Sequence, residues 1–149
     1  MTRDVVNQGP GWLEMEKRMK NDVWILGASG RTAKLIARQL DRAGVPLVLA
    51  GRDRTRLENV AADLGGVPRL VVGSLASQLA RLADDAPGVV VNTVGPFTTT
   101  GVEVVRACPA GTHYVDIANE VGAFEQVLAL EQSVRAGSAS ATARTSPPQ

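Results

Sequence analysis

Apolar residues in this chain fall into short unbroken runs that alternate with stretches of helical spacing. Val23-Trp24-Ile25-Leu26 is the first run, continuous as a strand covered on both faces requires. Gly27 closes it. Past Gly30, apolar positions recur at Ala33, Ile36, Ala37 and Leu40, one face of a helix that Gly44 is placed to cap. The pattern then repeats. Pro46-Leu47-Val48-Leu49-Ala50 predicts a second strand, and Leu57, Val60, Ala61 and Leu64 predict a helix that opens at Gly51-Arg52-Asp53 and stops at Gly65-Gly66. Residues 69–72 predict a third strand, and Leu75, Leu79 and Leu82 a short helix that ends before Pro87-Gly88. Residues 89–93 predict the fourth strand, closed by Val94-Gly95-Pro96-Phe97 and followed by a helix over about 100–107. Residues 113–117 predict a fifth strand. A last helix is expected over about 121–135, with Phe124, Val127, Leu128 and Val134 as its apolar members.

Strict alternation, with every crossover long enough to hold a helix, predicts an α/β fold with a parallel sheet covered on both faces. A glycine turn after the first strand, of a kind suited to nucleotide phosphates, suggests a doubly wound, Rossmann-type sheet of about five strands in the order 3-2-1-4-5. A sixth strand often follows in such sheets and none is visible here, so the sheet is expected to be truncated. Residues 1–21 are polar, with Gly9-Pro10-Gly11 and charged positions from Glu14 to Lys20, and read as an arm with a short helix over 12–19. Residues 22–136 read as the folded domain. Residues 137–149 hold nothing large and apolar, and disorder is expected there because too little surface can be buried to offset the ordering entropy.

Composition narrows the function classes. The 149 residues suffice for one domain, and 44% hydrophobic with 21% charged residues is ordinary for a globular chain. A formal net charge of +1 gives no reason to expect a nucleic-acid or membrane-surface partner. No apolar run approaches the ~20 residues that span a bilayer, and no signal-peptide core is visible, so a cytoplasmic location is expected. A single cysteine, Cys108, allows neither an internal disulfide nor a metal cluster.

The candidate chemistry gathers at the strand ends. Gly27, Ala28, Ser29, Gly30, Arg31 and Thr32 form a turn and helix start whose free N–H groups and positive dipole end suit the pyrophosphate of a dinucleotide. Three small residues at the spacing Gly27-x-x-Gly30-x-x-Ala33 also describe a plain strand-to-helix turn. After the second strand, where an acidic residue would accept from an NAD ribose, the chain reads Ala50-Gly51-Arg52. Arg52 is suited to a 2′-phosphate, with Arg54 and Arg56 nearby, which favours NADP over NAD; Asp53 is a helix cap or, in the less favoured reading, a ribose acceptor. Asn92, Thr93, Val94 and Gly95 end the fourth strand where a nicotinamide ribose would lie, although a ligand-free turn accounts for them as well. Tyr114 has no lysine four residues on, since position 118 is Ala, so a tyrosine–lysine reductase site is excluded. His113 reads as structural and Cys108 as packing. Asp116 and Glu120 either face a substrate or cap the final helix.

Gly27-Ala28-Ser29-Gly30, Leu49-Ala50-Gly51-Arg52, the run from Val90 to Phe97 and Gly111-Thr112-His113-Tyr114-Val115-Asp116 occur in a distinctive order. Over about residues 22–135 the chain resembles the N-terminal NADP-binding domain of the saccharopine dehydrogenase-like family, and within it the trans-acting enoyl reductases. The resemblance implies NADP as cofactor, bound by residues 27–30 and Arg52, with Asn92 to Gly95 near its nicotinamide half. Gly73-Ser74 departs from the acidic residue common after the third strand of that family, and residues 117–120 depart from its usual Thr/Ser-Gly-Glu type ending. Family members continue into a large substrate domain, so the expected partners are a dinucleotide and a separate substrate domain or a second copy of the chain. Two functions follow: the cofactor domain of an oxidoreductase, or a non-catalytic NADP-sensing or scaffolding module.

Overall fold

The computed structural model describes residues 21–118 and 125–130. Nine elements alternate: β1 (Val23–Leu26), α1 (Arg31–Arg42), β2 (Leu47–Gly51), α2 (Arg54–Ala62), β3 (Arg69–Val72), α3 (Leu75–Asp85), β4 (Val89–Asn92), α4 (Phe97–Ala107) and β5 (His113–Asp116). The five strands form one parallel sheet in the order β3-β2-β1-β4-β5. This is the doubly wound order expected from the glycine turn.

Side chains alternate between the faces of each strand, and the two faces carry separate cores. Trp24 and Leu26 of β1 point to one face, where they meet Val48, Val71 and Val90 of neighbouring strands, Leu82 of α3 and Val104 and Val105 of α4. Val23 and Ile25 point to the other, against Ala33 and Ala37 of α1 and Leu57 and Val60 of α2. Ala33 and Ala37 are fully buried, and their small side chains let α1 lie close to the sheet. Gly44, at φ +76°, ends α1 as expected: its N–H donates to Asp41 C=O at 3.0 Å, and Val45 N–H donates to Leu40 C=O at 3.0 Å. At the edge, the exposed Arg69 of β3 bridges Asp22 at 3.4 Å and Asp85 at 3.3 Å.

Several boundaries differ from the sequence pattern, each for a local reason. β2 begins at Leu47, because Pro46 has no N–H for the ladder, although its carbonyl accepts from Val23 N–H at 3.0 Å. β4 ends at Asn92, because Thr93 folds its hydroxyl back onto Leu26 C=O at 2.6 Å. β5 ends at Asp116, whose carboxylate accepts from the N–H of Ala118 at 3.2 Å and turns the chain. α4 begins at Phe97, three residues early, because the Pro96 carbonyl already accepts from Thr99 and Thr100 N–H groups, both at 3.1 Å. Residues 125–130 are helical and lie inside the expected last helix. The polar arm, its short helix, the rest of the last helix and the tail lie outside the described residues.

Candidate dinucleotide cleft

In a parallel sheet of this order, a crevice opens beyond the carboxyl ends of the central strands, where the crossovers diverge. A cavity of about 580 Å³ lies there, lined by Gly27, Ser29 and Gly30 after β1, Gly51, Arg52, Asp53 and Arg56 after β2, Ser74, Leu75 and Gln78 after β3, and Val94 and Gly95 after β4. Its walls therefore come from four successive strand ends.

The turn after β1 is fixed by its backbone. Gly27 sits at φ +74°, and a Cβ there would stand 2.8 Å from Thr93 Oγ1. The N–H groups of Gly27 and Ala28 both donate to Ala50 C=O, at 3.0 and 3.1 Å, holding the turn against β2. Gly30 is the N-cap of α1 at φ −73°, with no side chain capping the helix, and the first helical bond runs from Lys34 N–H to Gly30 C=O. The N–H groups of Arg31, Thr32 and Ala33 are left as open donors. By contrast, Asp53 caps α2 by accepting from Arg56 N–H at 3.1 Å, and Ser74 caps α3 by accepting from Ser77 N–H at 3.2 Å. Of these three helix starts on the cleft, only the glycine turn carries no side-chain cap, which leaves its N–H groups the least obstructed for an external anion.

The arginines after β2 are not equivalent. Arg54 lies outside the cleft and pairs with Glu58 at 3.9 Å. Arg56 lines the cleft but pairs with Asp53 at 3.7 Å. Arg52 lines the cleft, is exposed, and has no ion-pair partner among the described residues. Asp53 is engaged twice, as cap and as partner of Arg56, which competes with a ribose-accepting role.

At the β4 end, the expected residues divide. Val94 and Gly95 line the cleft; Asn92 and Thr93 do not. Asn92 is 0% exposed: its Nδ2 donates to Thr100 Oγ1 and Tyr114 Oη, both at 3.2 Å, and its Oδ1 accepts from Val94 N–H at 3.0 Å. It shapes the turn that presents Val94 and Gly95. Thr93 spends its single hydroxyl proton on the carbonyls of Leu26 and Gly27, clasping the β4 end to the glycine turn. Ala28 is fully buried, and Arg31 and Thr32 are exposed on α1 outside the cavity wall. The Tyr114 hydroxyl donates to Asp116 Oδ2 at 2.7 Å, and burial drives its ionisation well above the usual phenol range. Burial pushes the Cys108 thiol up to about 12, consistent with packing. Gln78 is a cleft residue that motif reading passed over. Its signal was present: it shares the helical stripe of Leu75, Leu79 and Leu82, where a polar residue stands out.

Comparison with known proteins turns this geometry into an affiliation. The family model for the saccharopine dehydrogenase NADP-binding domain matches residues 23–143. The chain belongs to that family. A trans-acting enoyl reductase of Mycobacterium leprae is 39% identical over 107 residues, covering 67% of this chain and 26% of the relative. The Mycobacterium tuberculosis protein of the same name is 36% identical over the same length, with the same coverage. The chain thus spans about a quarter of the length of the curated relatives it matches. Among solved structures, yeast methylglyoxal/isovaleraldehyde reductase Gre2 in complex with NADPH aligns with a TM-score of 0.60 at 13% identity, over 79% of this chain and 51% of that one. That likeness establishes the fold alone. The residues present fit an NADP-type dinucleotide, because an uncapped helix start and an arginine with no ion-pair partner among the described residues line one cleft. Among the described residues, none form a metal-binding cluster and no helix is long and apolar enough to cross a membrane.

Proposed function

We propose that the cleft binds NADP(H) in preference to NAD(H), as the cofactor-binding part of an oxidoreductase of the trans-acting enoyl reductase type. The observation that carries this reading is Arg52, a guanidinium without a pairing carboxylate among the described residues, on the same cleft as an uncapped helix start. Arg31, Thr32 and Ala33 N–H groups hold the pyrophosphate. Gly27, Ser29 and Gly30 admit it closely. Arg52 holds the 2′-phosphate, while Asp53 keeps Arg56 directed toward itself. Val94 and Gly95 form the wall on the nicotinamide side, and Asn92 and Thr93 fix that wall from behind. When bound, the cofactor supplies hydride; the chain supplies position and exclusion of water.

A charge-assisted Arg–phosphate contact contributes ~1.5–3 kcal/mol, so Arg52→Ala is expected to weaken NADPH binding about tenfold or more. NADH, which lacks the 2′-phosphate, should bind almost unchanged. Titration calorimetry with both cofactors checks this, and equal losses for the two would remove the 2′-phosphate role. A second reading, a dinucleotide-binding module without turnover, is favoured by the β4 end of the cleft, where Val94 and Gly95 offer no proton donor.

A further inference from the structure

Beyond Arg52, the cleft continues to the first turn of α3, where one buried side-chain oxygen lacks a partner. Ser74 Oγ accepts from Ser77 N–H at 3.2 Å, Ser77 Oγ donates to Ser74 C=O at 2.8 Å, and Gln78 N–H donates to the same carbonyl at 2.9 Å. The Gln78 side chain is 3% exposed and lines the cleft. Its Nε2 donates to Gly73 C=O at 2.8 Å, whereas its Oε1 has no hydrogen-bond partner. The orientation of the amide is dictated by Gly73: turned over, Oε1 would face a carbonyl oxygen, acceptor against acceptor. Gly73 is in turn held by its N–H to Gly51 C=O at 3.0 Å, so the end of β3 is tied to the end of β2. A buried carbonyl oxygen is thus fixed at the cleft wall, lacking only a donor.

We infer that Gln78 is a specificity-determining residue for the base of the dinucleotide, its Oε1 accepting from the exocyclic amino group of adenine. This rests on the dinucleotide reading of the cleft. With pyrophosphate at the β1 turn and the 2′-phosphate at Arg52 after β2, the attached base continues along the sheet order toward the end of β3. There Leu75 offers a half-buried apolar surface for a flat ring, and Gln78 offers an acceptor. Oε1 lies just beneath the wall, out of reach of water, so contact requires the wall there to yield slightly. An amino group satisfies Oε1. A ring carrying a carbonyl oxygen at the same position sets two acceptors against each other. Adenine is therefore selected over hypoxanthine.

The test is the affinity of the full chain for NADPH and for its hypoxanthine analogue, deamino-NADPH, measured by titration calorimetry. The wild-type chain should prefer NADPH by about tenfold or more, since a site built to bond an N–H rejects a ligand without it. Gln78→Met should bring the two affinities within about threefold by weakening NADPH alone. Circular dichroism verifies that the variant is folded, and the wild-type ratio stands as a test whether or not it is. Tight and equal binding of both cofactors by the wild type would overturn the role of Gln78 while leaving the dinucleotide reading intact; a ribose hydroxyl as donor would give this result. A preference that survives in folded Gln78→Met would also overturn it. Failure of both cofactors to bind would overturn the dinucleotide reading, and this inference with it.

Discussion

Two glycines three positions apart do different work, and the difference is measurable. Gly27 occupies a left-handed backbone at φ +74°, and a Cβ would press against Thr93 Oγ1 at 2.8 Å. Gly30 has an ordinary φ of −73°, and its Cβ would meet only the Gly27 carbonyl oxygen, at 3.2 Å. Gly27→Ala is expected to lower unfolding stability by about 1–3 kcal/mol, read from urea denaturation. Gly30→Ala should change stability by less than about 1 kcal/mol, yet weaken NADPH binding, because a methyl group at the helix start stands in the phosphate approach. Comparable destabilisation by both would remove this division of labour. Gly27 as a turn was legible in the sequence, because a strand followed directly by a helix needs a sharp reversal. Its crowding by Thr93 was not, since the two are 66 residues apart and only the β1–β4 pairing joins them. The surroundings of Asn92, expected beside the nicotinamide half of the cofactor, were hidden for a related reason. A polar residue ending a buried strand looks available to a ligand until Thr100 and Tyr114, from the next helix and the next strand, are seen to occupy it.

At the scale of elements, the apolar pattern was legible wherever burial decides. β1, β2 and β4 are buried almost throughout, and their unbroken aliphatic runs leave no second interpretation. The element ends were less legible, because they depend on single hydrogen bonds such as Thr93 to Leu26 and Pro96 to Thr100. Caps illustrate how ends also tune function. Asp53 holds both the first turn of α2 and Arg56. Asp53→Ala should cost about 1 kcal/mol in thermal or urea unfolding, as loss of an aspartate cap does, and should leave Arg56 free to assist Arg52. NADPH affinity should therefore hold or rise; a clear fall would mean that Asp53 itself contacts the ligand. The end of α4 carries a second consequence. Burial raises the Cys108 thiol from its ordinary 9.0 to about 12 in the folded chain. A raised folded value means that the stability contribution is complete below about pH 9 and is lost as pH climbs toward 12, because the unfolded chain releases its proton first. Urea midpoints across that window should fall less steeply for Cys108→Ala than for the wild type, and parallel curves would refute the assignment.

At the scale of the whole molecule, binding and turnover make separate demands on the chain. Reduction of an enoyl double bond needs a hydride at one carbon and a proton at the other, and the cofactor provides only the hydride. The titratable residues on the cleft wall are Arg52, Asp53 and Arg56, all after β2, at the end remote from β4. Near β4 the wall is Val94 and Gly95. Tyr114 is buried, its proton is directed to Asp116, and burial holds the phenol neutral far above its usual range. Asp116 accepts from both Tyr114 and Ala118 and does not line the cleft. His113 starts β5, paired with Val89 at the opposite edge of the sheet from the cleft. With the nicotinamide at the β4 end, as proposed, none of these titratable side chains is positioned to deliver a proton beside it. The chain also spans about a quarter of the length of its enoyl-reductase relatives, leaving ample room in those proteins for a proton donor on another segment. The 149-residue chain is accordingly expected to bind NADPH without consuming it when offered an enoyl thioester. Adding, as a separate polypeptide, the remaining portion of one of those relatives tests whether a proton donor comes from there. Enoyl-dependent loss of NADPH absorbance by this chain alone, abolished by Arg52→Ala at limiting NADPH, would instead place a complete catalytic centre within these residues.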